Sequence, residues 1–338
     1  MSEGAESPQE LARRVREGDR GAVARALNCV DDRRAEQRSE ALALLDARER
    51  RERGSRIGRR IGVTGAPGAG KSTLLDALAT VLRRQGRTVG ILAVDPSSRR
   101  TGGALLGDRF RMGSAARDAG VFFRSLAARD QLGGLSEVTG ASLDVLVAAF
   151  DVVLVETVGV GQSEASVADL VDTLLFVAQP ASGDLIQFMK AGLLELPDVF
   201  FVNKSDLDAL ATRTATELRA GLSLARSGEE RGRAAGESPP VLCGSARDGV
   251  GIEALIEALD AHHARLEESG DGARRRTAGR LARVRAALVQ RYGRFGITAI
   301  EAVQPIEAFV AARPEWCVER LIDTLGSGFE AAFAKRHV

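Results

Sequence analysis

Between the apolar run RRIGVTG and the helical run STLLDALATVL the chain reads GAPGAGKST, residues 65–73, and this stretch restricts the fold more than any other. It fits G-x-x-x-x-G-K-[ST], and the flanking strand and helix patterns supply the context in which such a loop cradles phosphate. Glycines let the backbone curl until several amide N–H groups converge, and these act with the amino end of the following helix on an anion. The spacing predicts that Gly65, Ala66, Pro67, Gly68, Ala69, Gly70, Lys71, Ser72 and Thr73 wrap the phosphates. Lys71 is expected to reach the β- and γ-phosphates and the Ser72 hydroxyl to bind Mg²⁺. A nucleoside triphosphate is the implied ligand.

The loop sits in an alternation of strand-like and helical runs. IGVTG, TVGILAVD, VFFRSL, DVVLVET, TLLFVAQ, DVFFVNK and PVLCGS are nearly all continuous apolar runs, as parallel strands buried on both faces require. Helical runs fall between most of them, at 72–84, 143–150, 206–226 and 252–266. The expectation is an α/β fold, a P-loop NTPase G domain with a doubly wound, mainly parallel sheet whose ligands sit at the carboxyl ends of the strands. Leu11, Val15, Val23, Ala26, Leu27 and Val30 recur at helical spacing before it. After it, 273–300 carries eight arginines and no acid, while Leu281, Val284, Leu288 and Tyr292 form an apolar stripe. Such a stripe suits burial against a partner, so it is expected to face a second subunit. The expected division is a helical extension over 1–56, a P-loop domain over 57–270 and a helical dimerisation region over 271–338.

Charge and composition narrow the partners. With 47 Lys+Arg against 46 Asp+Glu and 4 % aromatic residues, neither electrostatics nor stacking platforms favour nucleic acid. Cys29, Cys243 and Cys317 are too scattered for a disulfide framework or a local zinc site, and adjacent His262 and His263 are expected to face solvent. No apolar run reaches the roughly 20 residues of a membrane span, and the acidic start MSEGAESPQE has no leader pattern. The expected setting is cytoplasmic, without membrane or nucleic acid.

FVNKSDLD gives Asn203, Lys204 and Asp206 the N-K-x-D spacing. A buried carboxylate at Asp206 can accept from both the ring N–H and the exocyclic amino group of guanine, a donor pair that adenine lacks. CGSARDGVG follows the next strand and would bring Ser245 and Ala246 to the guanine oxygen. GTP, turning over to GDP, is therefore the expected nucleotide. With AVDPSSRRTGGALLGDRFRM and ETVGVGQSE between these motifs, the chain resembles the methylmalonyl-CoA mutase-associated GTPases, the MeaB/ArgK family, from LARRVREGDRGAVARAL to its C-terminal helices. The resemblance implies a homodimeric GTPase that chaperones an adenosylcobalamin-dependent acyl-CoA mutase, gating cofactor delivery and protecting or rescuing the mutase. One departure is FFRSLAARDQLGGLSEVTG, which keeps Arg124 and Ser125 but lacks the proline of the family's Arg-Pro-Ser stretch.

Phosphoryl transfer is catalysed mainly by positioning and charge neutralisation, so acids near the phosphate loop are the candidates for Mg²⁺. Asp95 and Glu156 each lie at or next to a strand end, and Glu156 with Gly159 forms E-x-x-G, in which the glycine amide senses the γ-phosphate. Asp108 alone reads as a solvated turn, and the resemblance makes it a magnesium candidate. Gln162 invites comparison with a water-orienting glutamine but stands three residues beyond the glycine. The resemblance also implies a switch in PASGDLIQFMKAG, carrying Asp184 and Lys190. A nickel-delivery maturation GTPase and a P-loop small-molecule kinase are the competing readings. Scattered Cys and His oppose the first and NKSD the second.

Overall fold

The computed structural model describes residues 6–32, 34–49, 58–95, 113, 115–127, 137–157, 163–180, 193–226 and 238–335. In chain order the elements are α1 (Pro8–Arg16), α2 (Arg20–Asp31), α3 (Ala35–Glu49), β1 (Arg59–Gly65), α4 (Lys71–Arg84), β2 (Val89–Asp95), β3 (Val121–Ala127), α5 (Glu137–Ala149) and β4 (Val152–Glu156). There follow α6 (Ser163–Ala168), β5 (Thr173–Ala178), β6 (Val199–Val202), α7 (Asp208–Arg226), β7 (Val241–Cys243), α8 (Ile252–Ser269), α9 (Asp271–Val303), α10 (Ile306–Ala311) and α11 (Val318–Lys335). They form two compact units, one of 59–135 with 150–272, the other of 1–58, 136–149 and 273–338.

The first unit is a sheet of seven parallel strands ordered β3-β2-β4-β1-β5-β6-β7. Its strands read as unbroken apolar runs because alternate residues enter two different cores. Leu175, Val177, Val199 and Phe201 join Leu74, Leu75 and Leu78 of α4 and Leu255, Ile256 and Leu259 of α8. Phe176, Ala178, Phe200 and Val202 join Ala211, Ala215, Leu218 and Leu222 of α7. A strand covered on both faces has no solvated side on which polar residues could alternate.

At the amino end of the sheet, Asp260 of α8 accepts from Arg59 of β1 and from Arg87 just before β2, the latter at 2.8 Å. His262, expected at the surface, is instead buried, with Nδ1 2.8 Å from Thr173 Oγ1 and Nε2 3.4 Å from Asp198 Oδ1. The reason is its place on the stripe Leu255, Leu259, His262, Leu266, the face α8 turns inward. His263, one position round the helix, is half-buried.

Among the described residues, the regular elements of the second unit are all helices. Ser7 and Asp19 cap α1 and α2 by accepting from the amides of Glu10 and Ala22, at 3.2 and 2.9 Å. Although α5 lies between β3 and β4 in sequence, it groups with these helices and with α9–α11. Half-buried Arg283 of α9 donates to buried Asp144 of α5 at 3.0 Å and to buried Glu319 of α11 at 3.1 Å. Burial pushes the Glu319 carboxyl above its ordinary range against the opposing pull of Arg283.

The expectation that Leu281, Val284, Leu288 and Tyr292 face a second subunit is corrected here. Val284 and Leu288 are fully buried among Ile306, Leu321 and Ile322 of the same chain, with Leu281 and Tyr292 packed against that core. The turnback that covers them begins at Gly293, where φ 68 and ψ −176 break α9. No helix of the described residues is long and apolar enough to cross a membrane.

Burial pushes the Asp260 carboxyl up, but the Arg87 hydrogen bond and the charges of Arg59 and Arg87 outweigh it and leave the group below its usual range. A depressed pKa contributes stability above the unfolded value, about 4, and that contribution is lost as pH falls through the folded value. Asp260→Asn should therefore cost about 1–3 kcal/mol near neutrality, with the gap to wild type closing below about pH 4, as read by urea unfolding across pH.

Candidate functional site

The phosphate loop leaves the carboxyl end of β1, whose neighbours in the sheet are β4 and β5. Two glycines fit their places for steric reasons. At Gly65, φ is +140 and a Cβ would lie 2.1 Å from the Val177 carbonyl oxygen on β5; at Gly70, φ is +88 and a Cβ would lie 2.4 Å from Asn203 Nδ2. Gly70 caps α4, so the helix begins at Lys71 with its amino end against the loop. Lys71, buried, donates from Nζ to the carbonyls of Gly65 at 2.8 Å and Ala66 at 3.1 Å, which fixes a positive charge inside the curl. Thr73 follows in the first turn of α4 and Pro67 in the turn of the loop.

Ser72 Oγ donates to Glu156 Oε1 at 2.9 Å. Strand register brings them together, because Val63 pairs with Glu156 across β1 and β4. On the other side of β4, Ala93 pairs with Glu156, so the backbone of Asp95 ends β2 two residues farther along. The side chain of Asp95 and the whole of Asp108, Gly159, Gln162, Asp184 and Lys190 lie outside the described residues.

The N-K-x-D residues follow β6 and hold the phosphate loop from behind. Asn203, buried, donates from Nδ2 to the Ala69 carbonyl at 2.8 Å and accepts from the Ala246 amide at 2.9 Å through Oδ1. Lys204 donates from Nζ to the Gly68 carbonyl at 2.8 Å and to Gln179 Oε1 at 2.9 Å. One expectation changes. Asp206 is at the surface rather than buried, because it lies in a turn after the strand, where Arg247 Nη2 donates to it at 3.2 Å. Ser245 is buried and donates from Oγ to Asp248 Oδ2 at 2.6 Å. The hydrogen bond from Arg247, reinforced by Ser245, holds the Asp248 carboxyl below its usual range.

Sequence reasoning missed Gln179, Arg247 and Asp248. Gln179 stood in plain view at the end of TLLFVAQ, and the other two lie inside CGSARDGVG. No spacing rule pairs a residue on one strand end with a lysine beyond the next.

The arrangement joins a phosphate loop, an acid beside its serine and the N-K-x-D loop at the carboxyl ends of one parallel sheet. Residues 23–293 match the family described as methylmalonyl Co-A mutase-associated GTPase MeaB. The chain belongs to the MeaB family. It is a GTPase and binds guanine nucleotide, as that family does. A putative GTPase of Pyrococcus horikoshii is 43% identical over 268 residues, 79% of this chain and 81% of its own. The mouse protein described as methylmalonic aciduria type A homolog, mitochondrial, is 36% identical over 269 residues, 77% of this chain and 64% of the relative. A crystal structure described as an LAO/AO transport system kinase aligns over 96% of this MeaB-family chain and 97% of its own, with a TM-score of 0.69 at 27% identity.

Asn203→Ala removes both side-chain bonds that tie the phosphate loop to the base loop. The expected result is a loss of about 1–3 kcal/mol in stability, because a buried carbonyl and a buried amide lose their partner. GTP affinity should fall at least tenfold in a fluorescent-nucleotide titration.

Proposed function

We propose that this GTPase is a cytoplasmic chaperone of an adenosylcobalamin-dependent acyl-CoA mutase, methylmalonyl-CoA mutase foremost. In this reading it gates loading of the cofactor and protects or reactivates the mutase. The observation that carries the proposal is the match of residues 23–293 to a family described by its association with that mutase. The name of the mouse relative supports it.

In this reading the loop 65–73 holds the triphosphate, Lys71 neutralises charge on it, and Asn203, Lys204 and Asp206 with Ser245 and Ala246 hold the guanine. The Ser72 hydroxyl lies 2.9 Å from a Glu156 carboxylate oxygen, and hard oxygen donors side by side are the set that suits Mg²⁺. Ser72 and Glu156 would hold the ion, with Asp95 and Asp108 as further carboxylates acting directly or through water. Mg²⁺ when bound there supplies positive charge against the phosphates. Lys71, already fixed by two carbonyls, meets the charge of the transition state without reorganising. Glu156 holds the Ser72 hydroxyl in place by accepting its hydrogen bond, and Gln162 and Gly159 are the candidates for orienting water and sensing the γ-phosphate.

The name of the structural neighbour favours a second reading, phosphoryl transfer to a small molecule. One assay separates the two: GTP turnover with and without a candidate mutase, with release of free phosphate as the readout. Glu156→Ala should bind nucleotide and lose Mg²⁺-dependent turnover under both conditions. Lys190→Ala should keep intrinsic hydrolysis and lose acceleration by the mutase, because a coupling residue needs contacts that differ between nucleotide states. Wild-type turnover indifferent to every mutase, or phosphate appearing on an acceptor, would overturn the chaperone reading.

The homodimer belongs to the same proposal, through a face other than the expected stripe. Phe295 and Val303 are 73% and 78% exposed. They border an apolar cavity of about 490 Å³ lined also by Ile300, Phe309, Phe329 and Phe333. Protruding apolar side chains beside a hollow on one patch suit a two-fold contact in which each copy fills the other. Phe295→Asp should yield monomers that still bind GTP, checked by light scattering.

A further inference from the structure

Lys204 is the one described non-glycine residue with its backbone in the left-handed region, at φ 59. An L-residue holds that conformation only where its surroundings impose it. Here they do so at both ends of the side chain. The following backbone is tied down, with the Ser205 amide donating to the Gly244 carbonyl at 2.9 Å and the Leu207 amide to the Lys204 carbonyl at 3.1 Å. The ammonium donates to Gly68 of the phosphate loop and to the side chain of Gln179.

Gln179 comes from a third strand end. Ala178 pairs with Val202 across β5 and β6, and the Asn203 amide donates to the Ala178 carbonyl at 2.9 Å, so the residue after β5 is carried to the residue after Asn203. The ends of β1, β5 and β6 thus converge on one ammonium. Gly68 holds its place in the loop at φ +78, a conformation open to glycine without strain.

We infer that Gln179 is a positioning residue for the nucleotide, acting through Lys204. Its amide oxygen holds the ammonium against the phosphate loop, so that the lysine stem is fixed before nucleotide arrives. A lysine ordered in advance loses less rotamer freedom on binding, and the gain appears mainly as slower nucleotide release. The inference rests on the reading that the N-K-x-D loop holds the base. Gln179 touches no reacting atom in this scheme, so its loss acts on binding and not on the hydrolytic step.

The test compares Gln179→Met, which keeps length and removes the oxygen acceptor, with Gln179→Glu, which keeps an acceptor for the ammonium. Release of fluorescent GDP is followed by stopped flow, and KM and kcat for GTP are measured on the full chain. Gln179→Met should release GDP roughly three- to tenfold faster, the loss expected from freeing one long side chain. Its KM should rise in step and its kcat stay within twofold, while Gln179→Glu releases GDP no faster than wild type. Wild-type release by Gln179→Met overturns the inference, as does an equal loss in both variants, which would mark Gln179 as packing only. Lys204→Ala separates the two levels. If it leaves GDP release unchanged, the N-K-x-D reading fails; if it speeds release while Gln179→Met does not, only the role of Gln179 fails.

Discussion

One side-chain amide joins the parts of this site. Asn203 donates to the Ala69 carbonyl of the phosphate loop and accepts from the Ala246 amide beyond β7, so a buried residue after β6 fixes two loops that are far apart in sequence. An amide is suited to this because it presents a donor and an acceptor in one plane. The bond depends on closeness that only Gly70 permits, since a Cβ there would meet Asn203 Nδ2. With Lys71 on Gly65 and Ala66 and Lys204 on Gly68, four carbonyls of a tightly curled loop have side-chain donors. At buried Ala69, a carbonyl left without its donor would cost on the order of 1–3 kcal/mol.

The sheet makes that closeness reproducible. Parallel strands in fixed register end at one edge, and β1, flanked by β4 and β5, delivers its loop beside the residues that end both. Register alone sets Val63 against Glu156, and so brings the acid to the hydroxyl of Ser72, 84 positions earlier in the sequence. The two cores on either face hold the register, because sliding a strand by one residue would exchange the sets that face α4 and α8 on one side and α7 on the other.

The helical unit answers to different constraints. Its stripe on α9 is buried by α10 and α11 after the break at Gly293, and Arg283 ties α9 to α5 and α11. Two buried carboxylates on one arginine are a poor source of net stability but a strong constraint on arrangement, since removing the arginine leaves buried charge unpaired. What remains apolar and exposed, around Phe295 and Val303, is displaced from the stripe that periodicity singled out.

How far the sequence reached can be told residue by residue. GAPGAGKST and NKSD were legible because their chemistry depends on neighbours a few positions away, and the seven strands because burial on both faces writes an unbroken apolar run. The periodicity of Leu281, Val284, Leu288 and Tyr292 told that a face is buried, and that of α8 left His262 within reach of the same inference. Neither told what covers the face. The partners of Asp206, Lys204 and the Ala246 amide, and the grouping of α5 with helices from both ends of the chain, were likewise closed to a reading of spacing. Local pattern determined which residues can bind phosphate and which must be buried. Strand order, register and chain turnback decided which of them meet, because those contacts join residues whose separation in sequence carries no record of their distance in space.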